Sequence, residues 1–444
     1  MKKSKSVHGP QELPLIGSVP SFGKDPLQFH VDLYEEFEGY AQYSLLGDPF
    51  VSLHSPELID HVLVKHSSKY IKTIFMREKW KGFFGKGVIT ADGDEWKRSR
   101  KVLQPMVSRD KLSKYFEVIS HHSEDYANAL KDGEAVDIKE DMMNLMLFSL
   151  VKVMFHTELD DEKVKRFGVL FKQCIDYFDF GMTLPGIMFE KLPTGPKTKY
   201  LNSIAELEEM VKVLLHSDST GMNMLTLLKN AKDEDGNPFT EVQIRDNILT
   251  FFIAGHETSS MAICYTLFLL GQHPEEVKKI QTELDEVLQG RTPSFTEINN
   301  LKILKNVVNE SMRIYPPVGM IGREAAVDDV IGNIPVKKGT NIIIPVFSIH
   351  RSAKIYPSPL DFIPDRWNDP ELENQKYDFL PFGLGPRVCM GASFAMMEIY
   401  TVLAVLLQKF DVKLVSSTKL ELMTSASMRP KNDVNIMFKK RVAR

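Results

Sequence analysis

Phe382-Gly383-Leu384-Gly385-Pro386-Arg387-Val388-Cys389-Met390-Gly391 runs directly into an apolar, helix-forming segment. Glycines and a proline bracket a single cysteine, so the stretch reads as a turn that presents one sulfur ahead of a helix. Gly383 and Gly385 permit backbone angles closed to other residues. Backbone N–H groups at a helix start, together with the positive end of its dipole, favour a thiolate at Cys389. A thiolate held this way is a metal ligand or a nucleophile. Arg387, two residues earlier, offers a planar fork to a carboxylate, and Gly391 lets the new helix approach something flat and bulky.

A flat group with an iron centre and acidic side arms meets these conditions, which points to haem. Phe382, Gly385, Arg387, Cys389 and Gly391 resemble the haem-binding loop of the cytochrome P450 family, matching Phe-x-x-Gly-x-Arg-x-Cys-x-Gly at every fixed position. The bland reading, a buried thiol in a Gly-rich turn, does not explain five fixed positions. A dinucleotide loop fails because the third glycine is misplaced and no strand–turn–helix unit surrounds it. The resemblance implies a mainly α fold with small β-sheets, a triangular helical body plus a β-rich lobe, as one large domain over residues 1–444. It also implies heme b (iron protoporphyrin IX) with Cys389 as its metal ligand, and O2 as co-substrate.

The chain of 444 residues is 43% hydrophobic and 26% charged, enough to bury a large core without a composition break that demands several domains. A net charge of −4 and the lack of a basic tract with interleaved aromatics give no reason to expect nucleic acid. Cys174, Cys264 and Cys389 are too few and too scattered for a disulfide framework, a zinc site or an iron–sulfur cluster. A reducing, cytoplasmic setting is expected. The basic start Met1-Lys2-Lys3-Ser4-Lys5-Ser6 is followed by His8-Gly9-Pro10 rather than an apolar run, and no uninterrupted apolar stretch reaches spanning length. No transmembrane anchor is expected.

Residues 1–26 read as an extended, proline-rich lead-in, followed by a helix from Pro26 and a hairpin of Tyr40–Leu46 and Phe50–His54 across Gly47-Asp48-Pro49. Phe75, Trp80, Phe83 and Phe84 punctuate residues 71–94; packing explains them, and by resemblance some line a substrate pocket. In Asp94–Lys101, Trp96 and Arg100 share a helical face four residues apart. They resemble the family's Trp-x-x-x-Arg pair, which reaches the haem propionates; alone, such a pair is usually a surface cation–π contact. Lys97, Arg98 and Lys101 are either a basic dock for an acidic electron donor or a solvated face. Residues 110–230 read as mostly helical, broken at Asp132-Gly133-Glu134, and the resemblance implies that the apolar residues from Phe178 to Phe189 belong to a cap over the site.

Thr240-Glu241-Val242-Gln243 is a capping box that opens a long helix ending near Gly271. Its middle, Ala254-Gly255-His256-Glu257-Thr258, breaks the helix rule with a glycine and polar groups, which hints at function. It resembles the family's Ala-Gly-x-(Asp/Glu)-Thr, where Ala254 and Gly255 leave room for dioxygen, Thr258 hydrogen-bonds it and Glu257 helps deliver protons. Without the resemblance, the threonine would simply bond back to a carbonyl and the glutamate would be solvated. His256 carries no assigned role. Glu310-Ser311-Met312-Arg313 and Pro364-Asp365-Arg366-Trp367 resemble the family's Glu-x-x-Arg and its arginine partner, a structural ion network, with Asp365 and Trp367 where many members have Glu and Phe. By the same resemblance Arg323 and His350 contact haem propionates. Strands are expected at 330–336, 340–346 and in the tail.

The resemblance implies a cytochrome P450 monooxygenase, acting as a monomer on a lipophilic substrate such as a fatty acid, terpenoid or retinoid. Two electrons then come from a separate ferredoxin or flavodoxin/reductase donor. A peroxide-driven peroxygenase, a non-catalytic haem sensor and a Cys389–His350 hydrolase are the rivals.

Overall fold

The computed structural model describes residues 8–155, 161–181, 194–216, 223–374, 376–416, 419–424 and 427–441. The chain is mainly α with small sheets and divides into two compact units. The first comprises Met1–Lys79, Arg313–Asp361 and Asp369–Cys389; the second comprises Trp80–Met312, Phe362–Asn368 and Met390–Arg444.

The first unit is built on a five-stranded sheet ordered Tyr40–Leu45, Asp48–Leu53, Asn341–Ile344, Ile321–Ala325, Tyr70–Ile71. Its expected hairpin forms with a tighter turn. Leu45 pairs with Asp48, leaving Leu46 and Gly47 as the loop at φ of +53° and +90°. Two positive φ values define the turn type whose twist matches the flanking strands, so Pro49 moves into the ladder opposite Ser44. The single strand expected at 330–336 instead folds back at Gly332 (φ +60°), making the hairpin Asp329–Ile331 and Ile334–Val336. Val51, Leu53, Leu63, Ile342, Ile344, Ile349 and Leu380 belong to one buried apolar cluster under this sheet. The proline-rich lead-in is not wholly extended, since Val19–Lys24 is a short helix with proline in its first turn.

In the second unit the long helix Glu241–Leu270 spans thirty residues, about 45 Å. The expected capping box is present: Gln243 N–H donates to Thr240 Oγ1 and Thr240 N–H to Gln243 Oε1. This helix packs on Ile138–Phe155 and on Ala392–Lys409, which in turn packs on Arg109–Ala129. The core these helices build is apolar, and most of the long helix lies inside it. Ala392–Lys409 is also the one helix, among the described residues, long and apolar enough to cross a membrane, but 67% of it is buried within the fold. The tail forms Phe410–Leu414 and Asn435–Lys440, joined by Ala135–Asp137, and a separate pair, Leu422–Thr424 with Met428–Pro430.

Candidate functional site

The thiol loop hangs from the sheet unit. Leu380 is buried in its core, Gly383 N–H returns to Leu380 O (3.1 Å), and Cys389 N–H closes on Phe382 O (2.9 Å). Gly383 and Gly385 adopt φ of +74° and +75°, as the turn requires. At Gly385 a Cβ would also lie 1.9 Å from Leu63 O, so no other residue fits. Gly385–Arg387 forms one 3-10 turn and the helix starts only at Ala392, with Gly391 as its N-cap. The Cys389 amide is therefore spent on the turn. The side chain itself is exposed.

The His350 ring is fully buried and Nε2 accepts the Leu380 N–H at 2.8 Å, which leaves Nδ1 as the donor of the ring. Arg323 lies on the strand Ile321–Ala325, with Nη1 donating to Gly322 O at 2.8 Å. Ile321 reaches the loop: its Cδ1 lies 3.6 Å from where a Gly383 Cβ would stand. Arg387 is half-buried within the 3-10 turn.

In the helical unit, Trp96 and Arg100 stand on Gly93–Leu103 and line one open groove of about 760 Å³ with Lys97, Lys101, Gln104 and Pro105. The expected basic dock on this helix is weakened by pairing. Lys97 bonds Asp94 (3.0 Å), Lys101 pairs with Glu234, and Arg98 bonds Asp233 (2.8 Å) over the Phe239 ring. Of the aromatics expected near a pocket, Trp80 and Phe84 are core residues. The segment after them is clipped to the long helix, Lys86 N–H to Asp246 Oδ2 and Val88 N–H to Asn247 Oδ1. The cap expected over 178–189 lies outside the residues whose side chains are described.

Phe251, Ala254, Gly255 and Thr258, spaced three and four apart, are open, whereas Phe252, Ile253, His256, Glu257, Ser259 and Ser260 are buried. Thr258 Oγ1 donates back to Ala254 O at 2.7 Å, the ordinary behaviour of a helical threonine. Glu257 faces the other way. Its Oε1 accepts from Ser427 Oγ at 2.5 Å and lies 3.3 Å from Arg429 Nε. His256 is a core histidine, with Nδ1 donating to Phe252 O and its ring edge-on to Phe171; burial lowers its pKa.

Two partners escaped the sequence. Arg429 sits in the three-residue strand Met428–Pro430, which is buried throughout and too short to carry a periodic signal. Glu398 lies on the apolar helix Ala392–Lys409, fully buried, with Oε2 accepting from Ser259 Oγ at 2.8 Å. Burial pushes its pKa up to about 8, against the Ser259 hydrogen bond. The ion network is partly as expected: Glu310 Oε1 accepts from Arg366 Nε (2.9 Å) and the Ile363 N–H (3.0 Å). The unusual Trp367 donates its indole N–H to Glu310 Oε2 at 2.9 Å.

A family description, Cytochrome P450, matches residues 7–438. The chain belongs to the cytochrome P450 family. Among its relatives, a cytokinin hydroxylase of Arabidopsis thaliana is 31% identical, with 88% of this chain and 79% of the relative covered. The cyclooctat-9-en-7-ol 5-monooxygenase of Streptomyces melanosporofaciens is 28% identical (93% and 90% covered), and the chloroplastic carotene epsilon-monooxygenase of Arabidopsis thaliana 30% (92% and 81%). As a cytochrome P450 the chain is a haem-dependent monooxygenase that uses O2. Its own residues fit that cofactor. Cys389 offers one exposed sulfur, and among the described residues no group of three His, Cys, Asp or Glu could hold a bare metal ion. One protein sulfur suits a metal whose other ligands come from a macrocycle.

Proposed function

We propose that this P450 oxygenates a lipophilic small molecule, of the terpenoid class before the fatty-acid or retinoid classes, with electrons from a separate ferredoxin or flavodoxin/reductase donor. The observation that carries this reading is the strip Phe251, Ala254, Gly255 and Thr258, left open on a helix otherwise packed in apolar core. Two of the relatives are named for oxygenation of a carotene and of cyclooctat-9-en-7-ol, which supports the terpenoid class. The free, buried thiols Cys174 and Cys264 suit a reducing compartment such as the cytoplasm.

When bound at Cys389, haem supplies the O2 chemistry that inserts one oxygen atom into a C–H or C=C bond. Phe382, Gly385 and Gly391 shape the thiol loop, while Arg387, Arg323, Trp96 and Arg100 supply donors for haem carboxylates. Ala254, with its small exposed side chain, leaves space over the open strip, while Gly255 admits the close approach of Leu150, which a Cβ would meet at 3.1 Å. Thr258 keeps its hydroxyl on that strip by donating to Ala254 O, so its lone pairs remain to accept a bond. Glu257 is turned from that strip, with Oε1 held by Ser427 beside Arg429, so its part in proton delivery would run through Oε2.

The test is a panel of terpenoids, fatty acids and retinoids screened for the spin-state shift of bound substrate, followed by product analysis. Product from a terpenoid with a reductase system, lost in Thr258→Ala at full haem content, is expected. Equal turnover of wild type and Thr258→Ala with H2O2 alone would instead favour the peroxygenase. Haem retention with no product from any class would favour a sensor.

A further inference from the structure

His350 is a buried group that joins the thiol loop through its ring Nε2 and the surrounding fold through its backbone. A backbone N–H can only donate, so the 2.8 Å contact from Leu380 N makes Nε2 an acceptor and places the ring proton on Nδ1. The backbone of the same residue is fixed as well: His350 N–H returns to Val346 O (2.9 Å), and Arg313 Nη1 donates to His350 O (2.8 Å). Arg313 is fully buried and lies over the Tyr356 ring, 4.9 Å from its centre, and Tyr356 OH donates to Asp378 O at 3.0 Å. Two arms thus run from one buried cation to Asp378 and Leu380. From Leu380 the chain turns through Gly383 N–H to Leu380 O, then closes with Cys389 N–H to Phe382 O.

We propose that His350 is a positioning residue for Cys389: by accepting the Leu380 N–H it fixes the root of the loop, and so sets how strongly the sulfur binds as a thiolate. The inference rests on reading Cys389 as the haem ligand. Leu380 is itself in the apolar core, where an unmatched N–H is costly. Losing the acceptor would therefore move Leu380 rather than leave the loop in place. Because the loop from Leu380 to Cys389 closes through its own backbone bonds, a shift at the root is carried to the sulfur. Outer contacts of this kind tune a metal site through ligand orientation.

The test uses the haem-loaded full chain with His350→Phe, which keeps the ring volume but has no acceptor, and His350→Gln, whose amide oxygen reaches the place of Nε2. Three quantities are read: hydrogen exchange at the Leu380 amide, the share of reduced–CO absorption in the long-wavelength thiolate band, and the haem reduction potential. Wild type is expected to protect Leu380 strongly. His350→Phe is expected to speed that exchange, move most of the absorption out of the thiolate band and raise the potential; His350→Gln is expected to restore all three. Rapid Leu380 exchange in wild type, an unchanged band and potential in His350→Phe, or a lower melting temperature as its only effect would each overturn the proposal. Should His350→Phe fail to hold haem, the wild-type exchange and His350→Gln decide, and a Gln variant without the thiolate band counts against. A wild-type protein that lacks that band refutes Cys389 as ligand instead, so the two readings fail separately.

Discussion

Ser427 Oγ donates to Glu257 Oε1 across 2.5 Å, and Arg429 Nε lies 3.3 Å from the same oxygen, with all three side chains buried. The strand that carries Arg429 is gripped a second time by the long helix, where Tyr265 OH donates to Met428 O at 2.8 Å. The acidic member of the Glu257-Thr258 pair is therefore held by the tail of the chain, while the alcohol stands on the open strip.

Arg429→Ala removes a cation from beside a buried carboxylate and should destabilise the fold by about 3–5 kcal/mol, the usual cost of breaking a buried ion pair from one side. Arg429→Lys should recover part of it. Urea unfolding midpoints measure both, and an Ala variant as stable as wild type would show that the pair contributes nothing.

Gly385→Ala and Gly383→Ala should separate. Both positions have positive φ, a strain of about 1–2 kcal/mol for alanine. At Gly383 the new Cβ meets only Ile321 Cδ1 at 3.6 Å, ordinary contact; at Gly385 it meets Leu63 O at 1.9 Å and the loop must move. Haem bound per chain should fall far more in Gly385→Ala, and equal losses would show that the close approach is unimportant.

Stability should peak near pH 6.5. Burial raises Glu398 to about 8, so above the ordinary carboxylate range the folded chain keeps a proton that the unfolded chain has released. That contribution is complete in acid and declines as pH rises toward 8, by about 1.4 kcal/mol per pH unit. His30 and His54 act oppositely. Burial lowers both to about 4, so their contribution is complete above the ordinary histidine range and is lost as pH falls toward 4. In denaturant titrations across pH, Glu398→Gln should flatten the alkaline limb and steepen the acid limb, where the Glu398 decline otherwise offsets part of the histidine gain; an unchanged alkaline slope would remove Glu398 from the explanation.

Trp367→Phe restores the residue more common in the family yet should cost about 1–3 kcal/mol, because Glu310 Oε2 loses the indole donor in a buried setting. Thermal unfolding of the variant checks this, and no loss would mean that water or another donor takes over.

Much of the site was legible because its signals are local. Thr240 and Gln243 are three residues apart, so the capping box and the helix that follows could be read from spacing. The positive φ values of Gly383 and Gly385 follow from a turn that other residues strain to make. The hairpins were located but not their turns, since Leu46 and Gly332 are chosen by ladder register rather than by local composition. His350 was read from resemblance as a propionate contact, and the direction of its ring, toward Leu380, could not be seen from either sequence neighbourhood.

By itself the sequence determined the family and the main helices, and singled out Cys389 as the sulfur to offer a metal, because each depends on residues close together along the chain. Only the tertiary structure decided which buried polar groups satisfy one another. Glu257 and Ser427 are 170 residues apart, and Ser259 and Glu398 are 139 apart. A charge or hydroxyl inside an apolar core must find a partner wherever the packed helices and strands bring one. That pairing is set by how the elements meet, and no local pattern encodes it.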